Sequence, residues 1–152
     1  MRLNHCCRCK KCKPYWLFKK QATTNTKLSA WCKACFLAYN QEQRKTNPKV
    51  NLKERLVHRM SCVLGRISSQ ECLRLIGLPT WTAVCRHLLH TLPSGAFWKD
   101  CQVDHVQPFA SATNREQLMM CCHYTNLALL TEKDHKQKSA YERRKSISVA
   151  DN

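Results

Sequence analysis

The chain has 152 residues, enough for one modest domain or two small modules, and 26 Lys/Arg against 10 Asp/Glu give it a formal net charge of +16. That excess implies a polyanionic partner, with nucleic acid ahead of an anionic membrane surface. Only three glycines are present, which excludes long glycine-rich phosphate loops; no apolar run of about 18 residues exists to span a membrane, and the amino-terminal MRLNHCCRCKKCKPYW lacks the apolar core of a secretory signal.

Three parts separate along the chain. Residues 1–47 are basic and cysteine-rich: residues 1–60 hold 15 Lys/Arg and 2 acids, whereas residues 61–152 hold 11 and 8. "RKTNPK" at 44–49 forms a joint, because Asn47 precedes Pro48 and is steered away from helix. Residues 48–96 read as a helical segment. Leu52, Leu56, Met60, Val63 and Ile67 recur at helical spacing, and "SQECLRLIG" is a second helix stopped by Gly77. A third helix follows Thr80, a candidate N-cap, with Trp81, Val84, Leu88 and Leu92 along one side. In residues 97–146, "CQVDHV" suits a strand, "PFASATNREQLMM" a long connection with a helical turn from Arg115, and "CCHYTNLALL" a second strand. "TEKDHKQKSAYERRK" is then a helix, opened by a capping arrangement of Thr131 and Asp134. Residues 147–152 are a frayed tail. The order of elements is that of an α+β fold.

Twelve cysteines in a secreted peptide would signal disulfides, but here several fall in C-x-x-C pairs and no secretory signal precedes them. A metal site in a reducing, intracellular compartment is the expectation. "CKKC" at 9–12 and "CKAC" at 32–35 supply Cys9, Cys12, Cys32 and Cys35 to a tetrahedral, structural zinc ion with no open position. His5, Cys6 and Cys7 are further candidates, and Cys6-x-x-Cys9 is also a knuckle. Cys9 and Cys12 are preferred because Pro14 and the apolar "YWLF" follow directly. Lysines in and beside both knuckles offset the thiolate charge and offer cations to phosphates: Lys10, Lys11, Lys13, Lys19, Lys20 and Lys33. Cys62, Cys72, Cys85, Cys101, Cys121 and Cys122, singly placed on apolar faces, read as buried small hydrophobes.

Asp104 and His105 sit side by side in "VDHVQP", and alternation on a strand sends them to opposite faces. If the two strands form a hairpin and the last helix packs across it, Asp104 and His135 meet. A carboxylate and an imidazole can hold a divalent cation there with positions left open. His105 is then free to take a proton from water, and Asn126 can hold the connection or the imidazole by hydrogen bonds.

"VDHVQPF…CCHYTNLALLTEKDHKQK" resembles the HNH endonucleases of the ββα-metal superfamily, and within them phage- and virus-type members. "CKKCKPYWLF…WCKACFLAYNQ" is similar to the zinc module that precedes such domains, and "LRLIGLPTWTAVCRHLL" to the helical segment between. The resemblance covers most of residues 9–140. It implies a ββα-metal finger in which His105 is the general base and Asn126 orients it. Asp104 and His135 would ligate Mg²⁺ or a similar ion, and His123 and Lys138 would face the phosphate backbone. His135 stands where such relatives often carry Asn, and "LALL" replaces a more polar segment.

The leading expectation is a metal-dependent endonuclease acting on DNA, as monomer or homodimer, in homing, restriction or phage and virus DNA processing. The second is an HNH-derived component that binds DNA or RNA without cutting, for instance in a ribonucleoprotein. The third, a zinc-dependent protein-interaction module, is opposed by the strong basicity and by the residues beyond 100.

Overall fold

The computed structural model describes residues 2–150, the side chains of 145–150 excepted. The fold is α+β, with small two-stranded antiparallel sheets and six α-helices among the described residues. The chain divides into two compact units at Asn47/Pro48.

The first unit is two hairpins and a helix. β1 (Leu3–His5) pairs with β2 (Cys12–Pro14), β3 (Phe18–Lys20) pairs with β4 (Leu28–Cys32), and β4 runs directly into α1 (Lys33–Thr46). Helix α1 ends where Asn47 turns extended before Pro48. The buried core of this unit is Cys6, Phe18 and Cys32. Three residues, two of them thiols, cannot hold together a module of this size by apolar burial; such small modules need a staple.

The second unit has a core of ordinary kind. Helix α2 (Pro48–Leu64) buries Leu52, Leu56 and Met60, and α3 (Ser69–Ile76) buries Cys72 and Ile76. Helix α4 (Trp81–His90) adds Val84, Cys85 and Leu88. They pack with Val103, Leu127 and Leu129 from β5 (Cys101–His105) and β6 (Leu127–Thr131), so residues on either side of position 97 share one core. Each large apolar side chain buried there contributes roughly 1.5–3 kcal/mol. The helix ends follow local chemistry. Ser68 and Glu71 form a reciprocal capping box, the Thr80 hydroxyl accepts from the Ala83 N–H, and Asn114 caps α5 (Arg115–Cys121) through the Gln117 N–H. The strands β5 and β6 are antiparallel, with Asp104 opposite Ala128 and His105 opposite Leu127. Helix α6 (Glu132–Ala150) starts at the residue after β6, where the Thr131 hydroxyl oxygen accepts from the Asp134 N–H at 3.2 Å.

Several sequence expectations are corrected. Val63 is exposed, and Ile67 lies beyond α2, which stops at Leu64 before Gly65. Cys62 is exposed rather than buried. The second strand covers only Leu127–Thr131, because Cys121 closes α5 and Tyr124–Asn126 form a 3₁₀ turn. Helix α6 keeps a helical backbone to Ala150 instead of fraying at 147; residues 151–152 of the expected tail lie outside the described residues. The other singly placed cysteines are buried as small hydrophobes, and burial pushes the thiols of Cys72 and Cys122 up to about 12 and about 11.

Gly77 ends α3 at φ 78°, and a Cβ there would lie 2.8 Å from His123 Nε2. Gly65 has φ 82° with nothing within 4 Å. Gly77→Ala therefore meets both left-handed strain and a clash, while Gly65→Ala meets strain alone. Urea unfolding followed by circular dichroism should show Gly77→Ala destabilised by about 2–4 kcal/mol and Gly65→Ala by about 1–2 kcal/mol.

Candidate functional site

The first site is a cluster of four thiols. Cys6, Cys9, Cys32 and Cys35 bring their sulfurs within 4.8 Å of one another. Tetrahedral zinc with bonds of about 2.3 Å sets its sulfurs roughly 3.8 Å apart, so these four thiols could hold the ion. This corrects the sequence expectation: Cys6 stands in the quartet, and Cys12 does not. Residues 6–11 are the turn of the β1–β2 hairpin, closed by Cys6 N–H to Lys11 O at 3.1 Å and Lys10 N–H to Cys6 O at 2.8 Å. Lys10 takes the left-handed φ of 58° that wraps this turn around its two thiols. Cys12 already belongs to β2, opposite His5, and is exposed. The signal for this was the pairing of "LNH" with "CKP", which apolar patterning does not announce. Cys7 is exposed and is also outside the quartet.

The second knuckle gains from its helix. Cys32 occupies the N-cap of α1 and Cys35 its first turn. The N–H of Cys35 leads in lowering the Cys32 thiol, against burial. Burial raises Cys6, but the N–H groups of Cys9, Cys32 and Arg8 outweigh it and bring the thiol down to about 5. The Cys32 N–H lies 3.2 Å from Cys6 Sγ. Burial and then the neighbouring sulfurs push Cys35 up to about 12. A divalent ion would relieve that opposition, since metal-bound thiols are held deprotonated. Lys13 Nζ lies 3.4 Å from Cys32 Sγ and offsets part of the thiolate charge.

The second site lies on β5, β6 and α6. Asp104 is only 5% exposed and His105 only 1%. Helix α6 presents His135 and Lys138, one turn apart, to the carboxylate. His135 Nε2 is 3.6 Å from Asp104 Oδ1, while Lys138 Nζ pairs with Asp104 Oδ2, with the His105 carbonyl oxygen and, at 3.3 Å, with Glu142 Oε1. Asp104 and His135 are thus brought together, as the strand alternation and helix packing anticipate.

His105 points away from that pair. Neither ring nitrogen has a hydrogen-bond partner among the described residues, and Phe109 packs on the ring with centroids 4.2 Å apart. Burial first, and then the positive charge of Arg59, lowers its pKa to about 4, so the imidazole is neutral near pH 7. Among the described residues no hydrogen bond joins Asn126 to the imidazole. Its Oδ1 accepts from the Gln107 N–H at 2.7 Å, and its Nδ2 donates to Gln107 O at 3.0 Å and to Cys121 O at 2.8 Å. Its own carbonyl accepts from the Val106 N–H at 2.8 Å. Asn126 therefore clamps the segment directly after His105.

The cations anticipated to face phosphates fall into two groups. Lys10, Lys11, Lys20 and Lys33 are exposed. Lys13 serves the thiol cluster, Lys19 sits 3.9 Å from the Phe36 ring centroid, and Lys138 is engaged with Asp104. His123 packs against Gly77, with Nδ1 2.9 Å from Thr125 Oγ1. Sequence reasoning missed Arg55, whose guanidinium ties α2 to Cys101 O at 2.7 Å, and Phe109, an aromatic in a loop that nothing in the sequence places over His105.

No family model, no curated protein and no solved structure matches the chain. No helix among the described residues is long and apolar enough to cross a membrane.

The thiol geometry sets a direct comparison. Cys6→Ser should lower bound zinc from one equivalent to well below it, whereas Cys12→Ser should keep one equivalent. Zinc released to a chromogenic chelator from the purified variants reads this out. Loss of zinc from Cys12→Ser with retention in Cys6→Ser would restore the sequence assignment.

Proposed function

We propose that the protein is a metal-dependent endonuclease of the HNH type that hydrolyses DNA phosphodiester bonds. The observation that carries this reading is His105, a buried imidazole next to the buried carboxylate of Asp104, with neither ring nitrogen partnered among the described residues. A buried polar group without partners costs free energy and calls for an explanation. Reservation for a water molecule and a phosphate supplies one.

In this reading His105, neutral near pH 7, takes a proton from the attacking water. Asp104 and His135 would hold a divalent cation, which would supply Lewis-acid stabilisation of charge on the phosphate. Asn126 fixes the segment 106–107 and, with it, the end of the strand that bears the base. Lys138 binds the other oxygen of Asp104 and keeps the carboxylate's direction fixed. The +16 charge attracts the substrate. The thiol cluster would hold a structural zinc ion at the centre of the basic first unit.

A second reading has its own support. Phe109 covers His105, and Lys138 already neutralises Asp104. Both suit a chain that binds nucleic acid through its cations without cutting it.

Incubation of supercoiled plasmid with the protein and a panel of Mg²⁺, Mn²⁺, Ca²⁺ and Zn²⁺ separates the two. The nuclease reading expects nicking, reduced about 10²- to 10⁴-fold in His105→Ala, the range typical of losing a general base. Equal cutting by His105→Ala removes His105 from the chemistry. Tight plasmid binding without cutting in any metal favours the second reading.

A further inference from the structure

The first unit carries 11 Lys/Arg and a single acid, Glu42. Its cysteine cluster and Lys13, Lys19 and Arg8 are occupied inside the unit. A different set of residues lines a groove of about 380 Å³ between the segment after β2 and the β3–β4 loop: Arg2, Tyr15, Lys20, Gln21, Lys27 and Leu28. Both walls are held by backbone hydrogen bonds. Tyr15 N–H donates to Arg2 O at 3.2 Å, Gln21 N–H to Lys27 O at 2.9 Å, and Lys27 N–H to Thr24 O at 2.8 Å. The Thr24 hydroxyl donates to Leu28 O at 2.9 Å.

Tyr15 is 47% exposed in this groove, and the adjacent Trp16, 49% exposed, meets it edge-on at 5.5 Å. Neither ring belongs to the buried core of the unit. Arg2, Lys20 and Lys27 are all exposed, and no ion pair of theirs occurs among the described residues. An aromatic ring held open among unpaired cations matches one chemistry well. Cations take phosphates, and the ring takes the face of a base. Duplex bases are stacked and offer only their edges, so the ring has nothing to stack on unless the strand is unpaired.

We propose that the first unit binds unpaired nucleic-acid strands in this groove, with Tyr15 stacking on a base and Arg2, Lys20 and Lys27 neutralising the flanking phosphates. This goes beyond the cleavage reading and does not depend on it. It gives the zinc-bearing unit a preference for single-stranded or splayed segments, whether or not the second unit cuts them.

The test uses the full zinc-loaded chain without added Mg²⁺. Fluorescence anisotropy compares labelled oligothymidylate, oligouridylate, a duplex of the same length and polyglutamate. The proposal expects both single strands to bind more tightly than the duplex. Tyr15→Ala should weaken single-strand binding roughly 5- to 100-fold, the range for loss of one stacked base, with Tyr15→Phe close to the parent and duplex binding unchanged. Lys20→Gln and Lys27→Gln should each reduce the salt slope for a single strand by about 0.7. As a check free of substitutions, photo-crosslinking of an iodouracil-bearing strand to the unaltered protein should label the peptide containing Tyr15 and Trp16. Duplex binding as tight as single-strand binding, equal losses on both in Tyr15→Ala, crosslinks confined to residues after 47, or polyglutamate bound as tightly as the oligonucleotides would each overturn it.

Discussion

The contact between Asp104 and helix α6 carries more of the second unit than its size suggests. From Glu132 to Arg144, α6 has no apolar stripe: its largest apolar group is Tyr141, which is 68% exposed. A helix of that composition has little to bury, and most helical stability in proteins comes from a buried apolar face. What ties α6 to the hairpin is Lys138 on Asp104 and on the His105 carbonyl, His135 beside the same carboxylate, and the direct run-in from β6. A buried ion pair of this kind is a weak source of net stability but costly to break from one side, because the remaining charge stays buried without compensation. The arrangement of the candidate site and the docking of its helix are therefore the same interaction.

The first unit solves a different problem. Its apolar core amounts to Phe18 and two thiols, with Leu28, Trp31, Cys9 and Cys35 around them. Its cations do not all serve an external partner. Arg8 lies 5.1 Å from the Trp31 ring centroid and 5.4 Å from that of Tyr39, and donates to Cys35 O. Lys13 faces a thiol and Lys19 a ring. A charge count made on the sequence treats these side chains as equivalent, and the fold does not. Part of the positive charge is engaged with the thiols and rings of the unit, whereas Lys10, Lys11, Lys20 and Lys33 are exposed.

The elements legible in the sequence are those whose signals are local. Thr80 caps α4 by its own side chain, and Gly77 stops α3 by its own backbone. Leu52, Leu56 and Met60 announce the buried face of α2, and the meeting of Asp104 with His135 follows from alternation and from a helix that starts where β6 ends. The elements that were not legible depend on which segments pair. The hairpin that puts Cys6 in the quartet and leaves Cys12 out is set by three-residue strands with no apolar alternation. "CCHYTN" is rich in strand formers, yet Asn126 binds Cys121 O and Gln107 across 19 residues and draws that stretch into a turn. Long-range hydrogen bonds of this kind override propensity.

Asn126 also bears on what the second site can do. Both amide hydrogens go to backbone carbonyls and the oxygen accepts from the Gln107 N–H, so Asn126 has no donor left to offer the imidazole or a ligand. Its work is to hold the chain immediately after His105 rigid from one side, while Lys138 holds the His105 carbonyl from the other. The backbone of the histidine is fixed at both ends, while its ring, capped by Phe109, has no hydrogen-bond partner among the described residues. A purely structural histidine would be expected to spend at least one nitrogen on a partner, as His87 does with Leu127 O at 3.2 Å. In His105 a fixed backbone is combined with an uncommitted ring. A buried polar ring in that state calls for an explanation that packing alone does not supply.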